Sequence, residues 1–214
     1  TGWKHYGSGI LVASQPSGSS TWFPVNDHPA DKATYTIRVT VPKPYVVAAN
    51  GLLLETTDHG EARTYVWEER HPMASYLVTV GIAELERVDA PGVGDVPIRN
   101  YFGVGVPAHV RAAYDGTAEM IAYFESFLGP YPFDAYGVLV HDTPLPFALE
   151  TQTMSLFGNG PPQERTVAHE LAHQWFGDLV TCKDWSNGWL NESFASYYEI
   201  LFFYYDRGKD EFLR

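Results

Sequence analysis

The sequence has 214 residues, of which 45% are hydrophobic, and its 14 lysines and arginines against 26 aspartates and glutamates give a net charge of -12 at pH 7. A chain of this size and composition can bury a core, which excludes a disordered protein, and its negative charge disfavours nucleic acid as a partner because the phosphate backbone would repel it. The single cysteine excludes an internal disulfide and leaves the compartment open, and no apolar run is long enough for a membrane span.

The chain up to about residue 100 shows the alternation of half-buried strands. Short runs rich in valine, threonine and tyrosine are separated by proline and glycine, which is typical of an antiparallel sheet. These runs cover residues 35–41, 46–49, 63–67 and 76–80. Glycine and proline are frequent from Asp89 onwards to Val106, which predicts a hinge between an N-terminal β-sheet domain at residues 1–97 and a second domain at residues 98–214.

Helical spacing is common in the second part of the chain. Pro107 suits the first position of a helix that would end before Gly129-Pro130. Two strands are predicted after it, at residues 136–141 and 148–156. Two more helices are predicted at residues 162–180 and 188–205.

The stretch from Thr166 to Val180, TVAHELAHQWFGDLV, places two histidines four residues apart within a helical run. Residues at this spacing share one helix face, so the rings of His169 and His173 can point to one metal ion. Glu170 is rotated by about 100° from His169, which lets it act on a water at the metal without being a ligand. Roughly 0.02 matches to His-Glu-x-x-His arise by chance in such a chain, so we predict a site for one Zn²⁺ rather than two core histidines.

A third protein ligand is expected because catalytic zinc usually has three protein ligands and one open position. Eighteen residues separate His173 from Glu192, which lies in an apolar run that begins at Trp189. This gap lets the first helix end and a second helix pack beside it, so we expect Glu192 to face the histidines and to be shielded from solvent. Glu199 lies on the same helix face and either holds a ligand histidine by a hydrogen bond or is a surface carboxylate.

HELAH at residues 169–173, the eighteen-residue gap and Asn191-Glu192 resemble the zinc signature of the gluzincins. VAHELAHQWFGDLVT with WLNESFASYYE is similar to the aminopeptidase-N-like branch, and residues 22–33 and 47–51 are similar to the N-terminal domain of that family. The resemblance covers nearly the whole chain. It implies an α+β fold, in which part of an N-terminal antiparallel β-sheet domain is followed by the sheet-plus-helices part of a thermolysin-like zinc peptidase domain.

The resemblance also implies which residues bind the substrate. The family has a Gly-Ala-Met-Glu-Asn signature on an edge strand, and its glutamate binds the free α-amine of the peptide. The corresponding residues here are Phe147-Ala-Leu-Glu-Thr151, so Glu150 takes this role while Phe147 and Thr151 depart from the pattern. An edge strand can bind an extended peptide and a carboxylate can pair with its ammonium group, although such a carboxylate can also simply oppose aggregation. Gln15 matches a second residue that contacts the amine in relatives, or it is an ordinary surface glutamine.

A tyrosine that supports the oxyanion lies on a later helix in relatives, whereas this sequence ends at Arg214. Tyr204 and Tyr205 come too early for this role and are expected to be core aromatics. We therefore expect the chain to be part of a longer enzyme, with the remaining part of its own polypeptide as a partner, and to be poorly active alone.

The zinc motif together with the resemblance implies a zinc aminopeptidase that hydrolyses the N-terminal bond of peptides with a free N-terminus, with Glu170 as general base. One alternative is a thermolysin-type zinc endopeptidase, which has the same ligands but does not need a free amine. The other is an inactive peptide-binding fragment that lacks the oxyanion tyrosine. A closed, thiolate-rich structural zinc site is disfavoured because the chain has one cysteine.

Overall fold

The computed structural model describes residues 2–6 and 9–212 and begins with two antiparallel sheets. The first sheet has the strand order β1-β2-β7-β4, and the second has β6 between β3 and β5. The strands are β1 (Gly2–Tyr6), β2 (Gly9–Ala13), β3 (Lys32–Pro42), β4 (Val46–Ala49), β5 (Leu52–Asp58), β6 (Ala62–Ala74) and β7 (Val80–Ala83). In β3, Tyr35, Ile37 and Val39 face inwards while the residues between them are exposed, as the alternation predicts. The predicted strand at residues 76–80 is wrong, because a 3₁₀ turn at Ser75–Leu77 precedes β7.

A third sheet follows and has the order β11-β10-β9-β8. Its strands are β8 (Leu85–Val93), β9 (Val96–Gly103), β10 (Val138–Val140) and β11 (Ser155–Phe157). β8 and β9 form an antiparallel hairpin, whereas β10 is parallel to both of its neighbours.

The expected hinge at residues 89–106 is wrong, because most of this stretch belongs to that hairpin. Within the hairpin, the pairing of β8 with β9 shifts register between Ala90 and Val93, where Pro91 and Gly92 lie. Gly94 lies in the turn between the two strands and has a φ of +54°. The domain boundary at residue 97 stays a prediction, and it falls inside β9 in this structure.

Four helices cover one side of the third sheet: α1 (Ala108–Arg111), α2 (Thr117–Leu128), α3 (Glu164–Ala172) and α4 (Trp189–Phe212). The single helix predicted after Pro107 is interrupted by a 3₁₀ turn at Ala112–Tyr114. α3 ends at Ala172, before the predicted residue 180, and the chain continues in turns to Gly177, whose φ of +137° an α-helix does not accept. α4 runs past the predicted end at residue 205 and has a non-helical residue at Gly208.

The core beneath the site lies between the third sheet and the helices. It contains Val140 from β10, Phe124 from α2, Leu171 from α3 and Phe202 from α4. The predicted α+β class, with an N-terminal β-sheet part followed by a sheet with helices, is confirmed. No helix in residues 2–6 and 9–212 has the length and apolarity needed to cross a membrane.

Candidate metal centre

The structure brings His169, His173 and Glu192 together at the contact between α3 and α4. The two Nε2 atoms are 3.0 Å apart, and the Oε2 atom of Glu192 lies 3.3 Å from that of His169 and 3.6 Å from that of His173. Four donors placed tetrahedrally about 2.0–2.1 Å from Zn²⁺ would be about 3.3–3.4 Å apart. The spacing of these three atoms, which we call the metal-donor cluster, therefore fits one zinc ion with a fourth position free.

Hydrogen bonds on the far side of each ring orient the two histidines. The Nδ1 atom of His169 lies 2.7 Å from Glu199 Oε2, and that of His173 lies 2.9 Å from the carbonyl oxygen of Phe176. Each Nδ1 can then donate its proton to an oxygen, which leaves the Nε2 lone pair facing the cluster. Glu199 is fixed in turn by Arg165, whose Nη2 donates to its Oε1 over 2.7 Å. Of the two alternatives for Glu199, the structure shows the contact with a histidine ring.

The electrostatic field at the metal-donor cluster favours a positive charge. Burial lowers the pKa of His169, but the carboxylates of Glu192 and Glu199 outweigh it and raise the pKa to about 10. Hydrogen bonds with the two histidines hold the pKa of the Glu192 carboxyl well below its usual range. A divalent cation would displace the protons from the histidine rings, because its larger charge interacts more strongly with the same carboxylates.

Glu192 is more exposed than its apolar sequence surroundings predict. Its side chain is 53% exposed, whereas that of His173 is 1% exposed. Glu192 lies in the first turn of α4, where Trp189 is also exposed, and Phe194 in the next turn is exposed as well. The expectation of a shielded Glu192 is therefore wrong, and the metal-donor cluster is open to solvent on the α4 side.

Glu170 lies beside the metal-donor cluster and is 7% exposed. Burial raises the pKa of its carboxyl to about 8, the charge of His173 opposes this shift, and the charge of Glu150 adds to it. One oxygen of each of these two carboxylates and one ring nitrogen of His173 lie within 4.8 Å of one another. Glu170 is thus placed next to the candidate zinc position, with its carboxylate on the side of Glu150.

Gln15 and Glu150 also meet, although 135 positions separate them in the sequence. The amide Nε2 of Gln15, just after β2, donates to Glu150 Oε1 over 3.0 Å. Glu150 follows an isolated antiparallel bridge between Leu149 and Leu156, so the strand predicted at residues 148–156 is wrong for most of its length. Between β1, β2 and Phe147 lies a cavity of about 250 Å³ that Gln15 also lines.

The sequence interpretation missed Gln174, whose side chain holds the backbone around Glu150 in place. Its Oε1 accepts hydrogen bonds from the Thr153 amide at 2.8 Å and the Tyr131 hydroxyl at 3.0 Å, and its Nε2 donates to the Glu150 carbonyl at 3.2 Å. The only signal in the sequence was a glutamine directly after His173, within an apolar run. That position alone does not reveal partners so far away in the sequence.

Asp178 is a second buried polar residue without a predicted role. It is fully buried, and burial raises the pKa of its carboxyl well above the usual range. Lys32 of β3 donates to the backbone carbonyls of Asp178 and Leu179, at 2.6 and 3.1 Å. This lysine ties the N-terminal sheet to the turns that follow α3.

An α+β fold in which two adjacent helices supply two histidines and a glutamate, with a further glutamate beside them, is typical of zinc metallopeptidases. The family model of the peptidase family M1 domain matches residues 112–212, and that of the peptidase M1 N-terminal domain matches residues 8–77. The chain belongs to peptidase family M1, and the predicted resemblance is confirmed.

Individual relatives agree with this family. Aminopeptidase M1-B of Oryza sativa is 32% identical over 84% of this chain, and the chain spans 22% of its length. An M1 zinc metallopeptidase from Deinococcus radiodurans is 36% identical with a TM-score of 0.92, over 99% of this chain and 50% of that one. A mutant of the Deinococcus enzyme bound to a Tyr-Ser-Ala substrate is 37% identical with a TM-score of 0.91, over 98% and 49% of the two chains.

Proposed function

We propose that this chain carries the zinc-binding half of an aminopeptidase that removes the N-terminal residue of peptides. The observation that carries the proposal is the convergence of three donor atoms, 3.0–3.6 Å apart, next to a buried carboxylate pair. Of this pair, Glu150 accepts a hydrogen bond from Gln15, and Glu170 follows His169, the first proposed zinc ligand, in the sequence. We use the name carboxylate pair for Glu150 and Glu170 below.

His169, His173 and Glu192 would hold the zinc ion, which supplies polarisation of the scissile carbonyl and a lowered pKa for a water at the open position. Glu170 accepts the proton of the attacking water and delivers it to the leaving amine, acting as general base and then as general acid. Its burial suits this role, because a carboxyl with a raised pKa gains a proton more readily than an exposed one.

Amine binding by Glu150, which the family signature implies and which its burial and contact with Gln15 support, would favour an aminopeptidase over an endopeptidase. A carboxylate at the closed end of a peptide groove pairs with the ammonium of a free N-terminus and leaves no space for a preceding residue. Gln15 fixes this carboxylate from the N-terminal sheet and can offer its own amide oxygen to the same ammonium. A related enzyme bound to a Tyr-Ser-Ala substrate supports short peptides as the substrate class.

The proposal is tested by comparing a free peptide with the same peptide N-acetylated, using the full-length polypeptide. The parent should cleave the free peptide and reject the acetylated one by a factor of about 100 or more, because a desolvated carboxylate is left unpaired. Glu150→Gln should lose most of the rate on the free peptide, while the exposed Glu119→Gln control keeps it. Equal cleavage of both peptides by the parent would instead identify an endopeptidase.

A further inference from the structure

The backbone that carries Glu150 is buried although it belongs to no strand or helix. Residues 150–154, which we call the Glu150 segment, are each 2% exposed or less. Thr153 within this segment has a φ of +66°, in the left-handed region that a β-branched residue rarely adopts. A buried backbone outside sheets and helices needs other partners for its amides and carbonyls. The position of Glu150 therefore depends on the residues that supply those hydrogen bonds.

Gln174 supplies one set of these bonds from the helical half of the chain. Its side chain binds the Glu150 carbonyl and the Thr153 amide, and it directly follows His173 in the sequence. These contacts fix the Glu150 segment relative to the metal-donor cluster. They do not fix it relative to Gln15, which follows β2 of the N-terminal sheet.

Asn50 and Gly51 supply a second set of bonds from the turn between β4 and β5. Nδ2 of the fully buried Asn50 donates to the Gln152 carbonyl over 2.6 Å, across 102 positions of sequence. The backbone amide of Gly51 donates to Thr153 Oγ1 over 2.8 Å. Arg99 donates to the carbonyls of both Gly51 and Thr153. The turn and the Glu150 segment are thus joined by four hydrogen bonds that involve no zinc ligand.

The remaining bonds of Asn50 anchor it to the sheet that leads to Gln15. Its Nδ2 also donates to the Leu77 carbonyl over 3.0 Å, and its Oδ1 accepts from the Thr79 amide over 2.7 Å. The Thr79 hydroxyl donates in turn to the Val12 carbonyl in β2 over 2.9 Å. Both protons and the oxygen of the Asn50 amide are therefore engaged, a set that neither an aspartate nor an apolar side chain can supply.

We propose that Asn50 is a positioning residue for recognition of the substrate ammonium, and this inference rests on the proposed function. By holding the Gln152 carbonyl, Asn50 keeps the Glu150 segment aligned with the end of β2. The side chains of Glu150 and Gln15 can then meet the same ammonium group. A misplacement of about 1 Å in a binding group can cost about 100-fold in rate, so loss of these bonds should be felt at Glu150.

A purely structural role of Asn50 makes a different prediction. It would lower the free energy of unfolding on substitution and leave the choice between substrates unchanged. The informative quantity is therefore the discrimination ratio, which is kcat/KM for a free peptide divided by kcat/KM for the same peptide N-acetylated. Stability alone does not change this ratio in the folded, zinc-loaded enzyme.

The discrimination ratio of the full-length polypeptide tests the proposal. In Asn50→Ala, kcat/KM for the free peptide should fall about 10–100-fold and that for the acetylated peptide should change little, while one equivalent of zinc is retained. Thr64→Val is the control, because the Thr64 hydroxyl lies 2.8 Å from that of Thr40 and 2.9 Å from His59 Nε2, inside the second sheet. It removes buried polar contacts of the N-terminal part without touching the Glu150 segment and should keep the parental ratio.

A second pair of variants decides the question if Asn50→Ala does not fold or does not hold zinc. Thr153→Val keeps the branched shape at this backbone position and removes the oxygen that accepts from the Gly51 amide. The discrimination ratio should fall in Thr153→Val. Thr153→Ser keeps the accepting oxygen and should retain most of the parental ratio.

The outcomes distinguish this inference from the proposed function. A parent that cleaves both peptides equally overturns the proposed function. A parent that discriminates, with a parental ratio also in folded, zinc-loaded Asn50→Ala, overturns the inference and leaves the proposed function intact. An equal fall of the ratio in Thr64→Val also overturns the inference. Where Thr153→Val replaces Asn50→Ala, a parental ratio in Thr153→Val, or an equal fall in Thr153→Ser, does the same.

Discussion

The metal-donor cluster and the carboxylate pair lie side by side but are stabilised in opposite ways. Each histidine of the metal-donor cluster has a hydrogen-bond acceptor behind it, either Glu199 or the Phe176 carbonyl. The carboxylate pair has a single neutral donor, Gln15, and a close like-charged neighbour. The first arrangement is preorganised before any ion binds, whereas in the second, burial and the nearby Glu150 favour the protonated form of Glu170.

This difference corresponds to two kinds of ligand. A preorganised set of donors suits an ion that remains bound through many reaction cycles. A pair of buried carboxyl groups, one of them with a raised pKa, suits a positive group that enters and leaves, such as the peptide ammonium of the proposed function. Substitutions in the two clusters should therefore separate ion retention from turnover.

The largest expected effect is on turnover and comes from Glu170→Gln. The amide cannot accept the proton of water, so kcat of the full-length enzyme should fall by about 10²–10⁴-fold. The variant should still hold one equivalent of zinc, because Glu170 is outside the metal-donor cluster. Turnover at the parental rate would show that another group is the base. Loss of the ion would show that Glu170 also contributes to zinc binding.

The next effect is on zinc affinity and comes from Glu199→Ala. Without its acceptor, the His169 ring loses its fixed orientation, and the affinity measured by competition with a chelator should fall by about 10–100-fold. Glu199→Gln keeps an oxygen acceptor for Nδ1 and should recover part of that loss. Arg165→Gln is the matched control for loss of the neighbouring ion pair. Unchanged zinc affinity in Glu199→Ala would mean that the ring is held by packing alone.

The smallest expected effect concerns Gly177, which follows the metal-donor helix. Its φ of +137° disfavours any side chain, and an added Cβ would lie 3.1 Å from Nδ1 of His173. Gly177→Ala should lower the free energy of unfolding by about 1–3 kcal/mol, measured by urea denaturation. Gly160→Ala is the control, since a Cβ there meets no atom within 4 Å. Equal stability of the two variants would show that the turn adjusts without disturbing His173.

Local sequence signals were enough to predict the residues of the metal-donor cluster. The spacing of His169 and His173 depends only on helix geometry, and Glu192 follows after a gap that accommodates one turn between two helices. The predicted end of α3 was wrong because the apolar pattern continues through Trp175 and Phe176, whereas the helix ends at Ala172 and turns follow up to Gly177. Pattern alone does not distinguish a helix from the turns that follow it.

Long-range contacts account for the remaining differences. The glycines and prolines of residues 89–106 indicate a hinge when considered alone, but pairing between β8 and β9 places most of that stretch in a sheet. The partners of Gln174 come from three separate segments, and no spacing in the sequence brings them together. The exposure of Glu192 likewise depends on where α4 begins relative to the rest of the fold.

The half-exposed side chain of Glu192 affects how the metal-donor cluster of this chain would take up an ion. Because one donor faces solvent in these 214 residues while both histidines are already fixed in place, an ion can reach them without any opening of the core. We expect a chelator to remove zinc from the folded 214-residue chain, and added zinc to restore it, while the near-ultraviolet circular dichroism of its buried aromatic residues stays constant.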